Sequence, residues 1–201
     1  MGELYMITKS MRTKQALARA LEKLLKTTPL SKVTVKAIAK EAQVDRQTFY
    51  YHFETLSDLI EFACLEQFSC MKPNLSQCKT SHDLFSELMT HIDSQRDNLA
   101  ALLSGVGRNA MRDVLFSDTH ELLFNFVVAT VEQNNIKVSK KEIHATTFYC
   151  LHASATIIVD WISGSYGDRI SAQNLANFLS LSFERQIKGL FLDCDQRSSS
   201  F

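Results

Sequence analysis

Helix breakers are almost absent: the 201 residues include only two prolines, Pro29 and Pro73, and six glycines. Proline removes a backbone donor, and glycine inside a helix costs about 1 kcal/mol relative to alanine. Their scarcity lets long helices run unbroken and leaves too few turn residues for a sheet of many short strands. Hydrophobic side chains make up 45% of the chain, ample for a buried core. The expected fold class is all-α.

Apolar periodicity places the elements. Leu17, Ala20, Leu21 and Leu24 form one stripe, which predicts a first helix over Ser10 to Lys26. Thr34 can cap a second helix whose Val35, Ile38, Ala39 and Ala42 face inward, and Asp45 can cap a short third helix over Arg46 to Phe53. Thr55 with Asp58 reads as a capping box for a fourth helix, reaching about Phe68. A linker is expected over Met71 to Thr80, then a helix from Ser81 to Gly105 or Gly107, and one or two more to Gln133. Asn134, Asn135 and Lys137 suggest a turn. Ser139 with Glu142 is the clearest capping box, opening a helix that Gly164 and Gly167 close near Ser163. Ser171 caps a last helix, expected to end near Gly189, before a polar, frayed tail from Gln196 to Ser200. The domain reading is residues 1–55, a connecting helix over about 55–70, and a helical body over 71–201.

Charge is distributed unevenly. The chain is neutral overall, but up to Glu54 ten basic side chains face five acidic ones, leaving about +5 there and about −5 beyond. A basic head on an acidic body suits a protein that meets phosphate at one end. The odd number of cysteines and the lack of a CxxC pair point to reduced thiols. MGELYMITKSM has no apolar signal region, and the apolar run Ala145 to Val159 is too short and polar to span a bilayer. The expected location is cytoplasmic, away from membranes.

Functional chemistry concentrates in VTVKAIAKEAQVDRQTFYYHFETLSDL, Val33 to Leu59. Two short helices separated by Gln43 and Val44 have the dimensions of a helix-turn-helix. On the third helix Phe49 and Phe53 fall together, facing the core. Gln47, Thr48, Tyr50 and Tyr51 spread over the other side, flanked by Arg46 and His52. These side chains, with Thr34 and Lys36 at the start of the second helix and Asp45 at the start of the third, form the candidate DNA-binding set. Thr34, Lys36, Thr48, Tyr50 and His52 suit phosphates, aided by the second helix's N-terminal amides. Arg46 suits guanine and Gln47 suits adenine, and which of them meets a base stays open. A helix rich in Tyr and Phe also belongs in an ordinary core, and Phe49 and Phe53 fit that role.

The pattern of Ala39, Ala42, Val44, Thr48, Phe49, Tyr50, His52 and Phe53, followed by a capped helix, resembles the DNA-binding domain of the TetR/AcrR family of regulators over residues 10–68. DRQTFYYHF further resembles a subgroup that includes activators of dihydroxyacetone-kinase operons. The resemblance implies a homodimer on a double-stranded DNA operator, a small-molecule effector in the body, repression as the usual outcome, and no enzyme activity or cofactor. Two positions depart from the family pattern. Gln43 stands where the family usually has a turn glycine. Leu56 stands where relatives often place a phosphate-contacting lysine, with Glu54 just before it. The second departure leaves room for a coactivator that works through a partner protein.

In the body, Phe62, Phe68, Leu88, Met89, Ile92, Leu102, Leu103, Phe116, Phe124 and Phe148 can line a cavity or simply fill a core. The dimer seam implied by the resemblance falls on the last two helices. On the first it takes Ile143, Thr147, Leu151, Ala155, Ile158 and Ile162, with small Ala153 and Ser154 allowing close approach. On the second it takes Leu175, Phe178, Leu179, Leu181, Ser182 and Ile187. Burial inside one subunit is the competing reading. His144, Cys150 and His152 share a helix, but His144 and His152 lie about 80° apart in projection, so one helix cannot bring all three to an ion and no metal is expected. No GxSxG, P-loop, HExxH or dinucleotide fingerprint occurs. Gly105-Val106-Gly107 reads as a helix end, and Asp193 with Asp195 as solvated surface.

Overall fold

A computed structural model describes residues 2–70, 72–133 and 138–197. Among these residues there are nine helices and no strand: α1 (Gly2–Leu25), α2 (Val35–Glu41), α3 (Arg46–His52), α4 (Leu56–Ser69), α5 (Lys72–Leu75), α6 (Ser81–Ser94), α7 (Arg96–Gln133), α8 (Lys140–Ile162) and α9 (Ala172–Arg197). The all-α expectation holds. The chain divides into two compact units, Met1–Ser69 with Gln95–Met111, and Cys70–Ser94 with Arg112–Phe201.

In the first unit α1 packs on α2, α3 and α4. Leu17 and Leu21 of α1, Ile38 of α2, Phe49 of α3 and Leu59 of α4 are fully buried. α1 begins earlier than Ser10, because nothing between Gly2 and Ser10 breaks a helix. At the start of α4 the capping box forms: Thr55 N–H donates to Asp58 Oδ2 at 2.8 Å, and Asp58 N–H donates to Thr55 Oγ1 at 3.2 Å. Gly105 packs here rather than ending a helix. A Cβ at that position would meet Leu30 Cδ2 at 2.6 Å and Ile60 Cδ1 at 3.0 Å. The helical path breaks two residues later, at Gly107, with φ 82°.

Gln43, in the turn between α2 and α3, has φ 58°. A side chain with a Cβ pays roughly 1 kcal/mol there that glycine does not. Gln43→Gly is expected to raise stability by up to about 1 kcal/mol, less glycine's extra unfolded-state entropy. Chemical denaturation checks this, and a loss of stability would show that the Gln43 side chain supports the turn.

α1 and α4 are also joined by two amide–carboxylate bonds. Gln15 Nε2 donates to Glu66 Oε2 at 2.9 Å, and Gln67 Nε2 donates to Glu22 Oε1 at 2.6 Å. Burial pushes the Glu22 carboxyl above the usual glutamate range, against the lowering effects of Gln67, Arg19 and Lys26. The folded state therefore holds this proton more tightly than the unfolded chain. Stability falls as pH rises from the ordinary glutamate value through the raised one, and the cost is fully present above it. Glu22→Gln keeps the acceptor for Gln67 and removes the charge. Its melting temperature should exceed that of the parent at neutral pH, with the gain shrinking in acid; a gain independent of pH would point to another cause.

In the second unit α6 lies along α9, and α8 also packs on α9. Phe183 of α9 meets Phe85 of α6 at 6.0 Å and Phe126 of α7 at 5.9 Å, ring centre to ring centre. The capping box at Ser139 and Glu142 is complete, and Gly164, with φ 77°, closes α8. There Gly164 N–H donates to Trp161 O at 3.1 Å and Ser165 N–H to Asp160 O at 3.0 Å, the paired bonds of a Schellman ending.

Several expectations need correction. The stretch expected as a linker contains α5, whose Leu75 is buried; Pro73 is tolerated because it lies in the first turn, where its missing N–H has no helical partner. The helix expected from Ser81 to Gly105 or Gly107 stops at Ser94. α9 continues through Gly189 to Arg197, because one glycine weakens a helix without stopping it. The expected turn at Asn134, Asn135 and Lys137, and Ser198–Ser200 of the tail, lie outside the described residues. No single described helix is long and apolar enough to cross a membrane.

Candidate nucleic-acid interface

Two side-chain caps fix the helices that carry the candidate residues. Thr34 is extended, and its Oγ1 accepts from Ala37 N–H at 3.2 Å. Asp45 is extended too, and its Oδ1 accepts from Thr48 N–H at 2.6 Å. Hydrogen bonds from Thr48 hold the Asp45 carboxyl below the usual carboxylate range, so it is ionised at neutral pH. Its carboxylate is thus committed to the N-terminus of α3, where an anion also opposes the positive end of the helix dipole.

Phe49 and Phe53 turn inward, 5.9 Å apart between ring centres, and anchor α3. The opposite face is open. Tyr51 is 83% exposed and Tyr50 47%, and Arg46 and Gln47 are exposed beside them. Thr48 and His52 are half-buried at the flanks. Arg46 Nη2 donates to the Tyr50 hydroxyl at 3.0 Å, and its guanidinium lies 5.4 Å from the Tyr50 ring centre. Tyr50 therefore orients Arg46 as well as offering a hydroxyl of its own. Thr34 and Lys36 are exposed at the start of α2.

Two residues of α1 belong to this region and carried no sequence signal. Ser10 Oγ lies 3.5 Å from His52 Nδ1. Lys14 Nζ sits 5.5 Å from the Phe53 ring centre and 5.8 Å from that of Phe62. Burial, then the charge of Lys14, pushes the His52 imidazole below its usual value, so it is neutral at pH 7 and offers a single N–H. Not every basic residue of the head is available to a ligand, since Lys23 pairs with Glu41.

The second unit holds a small apolar cavity, with about 20 Å³ of room for the centre of a water molecule. Leu75, Leu84, Phe85 and Leu88 line one side, Leu115, Thr119, Leu122 and Leu123 another, and Leu151, Ser154, Ala155 and Ile158 the third. Of the residues expected to line a cavity, Leu88 lines this one. Phe68, Met89, Ile92, Leu102 and Leu103 are buried core, Phe62, Phe116 and Phe124 are half-buried, and Phe148 is exposed. The residues expected at a dimer seam divide into a buried and an exposed set. Ile143, Thr147, Leu151, Ala155, Ile158, Ile162, Leu175, Leu179 and Ile187 are buried within the chain itself. Tyr149 of α8 and Phe178 and Leu181 of α9 remain more than half exposed.

His144 stacks on Phe124 at 4.5 Å, and His152 lies 4.2 Å from Phe116 and 4.0 Å from Phe148. Burial raises the thiols of Cys64 to about 12 and Cys150 to about 11, so neither is a thiolate at neutral pH. No group of three metal-ligating side chains gathers among the described residues.

The family model described as bacterial regulatory proteins of the tetR family matches residues 13–61, and the model of a transcriptional regulator C-terminal region matches residues 79–187, more than half of the chain. This chain belongs to the TetR family. It is a TetR-family transcriptional regulator whose match takes in both helix-turn-helix and body. Solved structures with the same fold include the dihydroxyacetone kinase operon activator DhaS, at 18% identity over 88% of this chain and 96% of that one, TM-score 0.66. A tetR-family regulator from Streptomyces coelicolor matches at 15% identity over 94% and 86%, TM-score 0.64. FadR of Thermus thermophilus, a TetR-family repressor in complex with lauroyl-CoA, matches at 17% identity over 88% and 92%, TM-score 0.60. No curated protein sequence matches the chain.

Proposed function

We propose that this TetR-family regulator is a cytoplasmic homodimer that binds a DNA operator through α3 and the start of α2, and that an effector held in the body modulates that binding to relieve repression. The observation that carries the reading is the open face of α3. A helix anchored by Phe49 and Phe53 and capped by Asp45 turns Arg46, Gln47, Tyr50 and Tyr51 outward beside Thr34 and Lys36. That face offers charge and hydroxyls for phosphate and a fork-shaped donor for a base edge. In division of labour, residues 1–55 read DNA, α4 connects, and 71–201 regulate and dimerise. The exposed Phe178 and Leu181 of α9 support dimerisation, because apolar side chains left in water favour burial against a second copy. Two copies would also read a palindrome, which one seven-residue helix cannot. FadR's complex with lauroyl-CoA supports an effector in the body, since its fold is the same.

Fluorescence anisotropy of the purified protein on its own upstream DNA tests the reading. Binding should weaken steeply with salt, and Lys36→Ala should lower the slope of log K against log salt by about 0.9 for each phosphate that the lysine neutralises. Leu56 at the start of α4, where relatives place a lysine, favours one rival, a coactivator. Absence of binding by the purified protein, with a complex formed only when a second regulator is added, would replace the first reading with that one.

A further inference from the structure

We propose that Ser10 and Lys14 of α1 are positioning residues for His52, and that the His52 imidazole takes up a proton from solvent when its ring docks against a DNA phosphate. The inference rests on the operator reading above and adds to it a role for α1 and a dependence on pH.

Ser10 and Lys14 stand one turn apart on α1, and His52 is the last residue of α3. Ser10 Oγ lies 3.5 Å from His52 Nδ1, at the outer edge of hydrogen-bond reach. Tyr51 of α3 meets the imidazole edge-on, 5.0 Å between ring centres. Lys14 Nζ is held over the rings of Phe53 and Phe62, an arrangement that fixes an ammonium in place. With Nδ1 directed at Ser10, Nε2 is the nitrogen left for a ligand, on a half-buried side chain that flanks the open face of α3.

A serine hydroxyl suits both charge states of the ring. It donates to Nδ1 of a neutral imidazole and accepts from Nδ1–H of a protonated one, so the ring keeps its place while its charge changes. Lys14 acts against the charged form. Burial, then the Lys14 charge, holds the imidazole below its usual value in the unbound protein. A phosphate brought against Nε2–H supplies the opposite charge and favours the imidazolium. Over the range between the lowered and the raised value, the complex holds a proton that the unbound protein lacks. Binding therefore tightens as pH falls through that range, by up to about tenfold per pH unit for each subunit, and is indifferent to pH above it. The competing reading is a ring that merely packs at the end of α3. Such a ring holds its proton equally with and without DNA, which makes the two readings separable.

Fluorescence anisotropy of the full-length protein on its own upstream DNA, at fixed ionic strength between about pH 8 and 5.5, provides the test. Affinity should rise about three- to tenfold as pH falls. His52→Gln keeps an N–H donor but cannot titrate, so it should bind without that rise. Lys14→Gln should move the rise to higher pH. Ser10→Ala should shrink it, and Ser10→Thr should restore it. Calorimetry of the parent in two buffers of different ionisation enthalpy should count up to about one proton taken up per subunit, and fewer in His52→Gln. Thermal melts accompany each variant, and Lys14→Gln with Ser10→Thr carries the test if His52→Gln melts early. A parent profile parallel to that of His52→Gln, a Lys14→Gln profile unmoved from the parent's, or binding without proton uptake would overturn the proposal and leave the operator reading standing. Absence of DNA binding at every pH would overturn both.

Discussion

Phe49→Ala is expected to destabilise the first unit by about 3–5 kcal/mol, the cost of emptying a fully enclosed aromatic site. Phe49 has no exposed surface; its ring meets Tyr50 edge-on at 5.3 Å and Phe53 at 5.9 Å, and it is the one fully buried anchor on a helix of seven residues. So short a helix has little stability of its own and exists because its inward face is held. A loss of this size is a large share of the total stability of a domain. Denaturant melts should therefore show an early transition, and DNA binding should disappear with it. Tyr51→Ala provides the contrast. Its side chain is largely in solvent, so its stability should stay within about 0.5 kcal/mol of the parent. A Phe49→Ala penalty below about 1 kcal/mol would mean that α3 is anchored in some other way.

The second large effect concerns sequence preference. Arg46→Ala and Gln47→Ala should each remove about 1–3 kcal/mol of discrimination at one base pair, or roughly five- to 150-fold, and relax preference there while leaving other positions intact. Selection from randomised duplexes reads this directly: preference for guanine should fade in the first variant and for adenine in the second. The Arg46–Tyr50 bond adds a sharper expectation. Tyr50→Phe removes the acceptor that holds the guanidinium, so it should blunt the same guanine preference as well as weaken overall affinity. Combined with Arg46→Ala its effect should be less than additive, because both changes break one interaction. Unchanged preference in both alanine variants would remove base reading from α3.

How much of this was legible in the sequence follows from the range of each interaction. Caps act over three residues, so Thr34, Asp45, Thr55 with Asp58, and Ser139 with Glu142 announce the helix starts that the structure contains. The turn at Gln43 was equally local, and φ 58° is what a glycine-type position demands. The inward turn of Phe49 and Phe53 followed from helical period alone. Helix ends were less legible: nothing local announces the stop at Ser94, and Gly189 looks like an end but is not one.

The sequence by itself determined the helical class, the helix-turn-helix and the residues of its outward face, because helix propensity, caps and period all operate within one or two turns. Only the tertiary structure decided that Leu151, Ser154, Ala155 and Ile158 border a cavity. The same holds for Tyr50 steering Arg46, and for Ser10 and Lys14 flanking the recognition helix. An apolar stripe states that a face will be buried but not against what. That answer depends on which helices, far apart in the chain, come to share one packed volume.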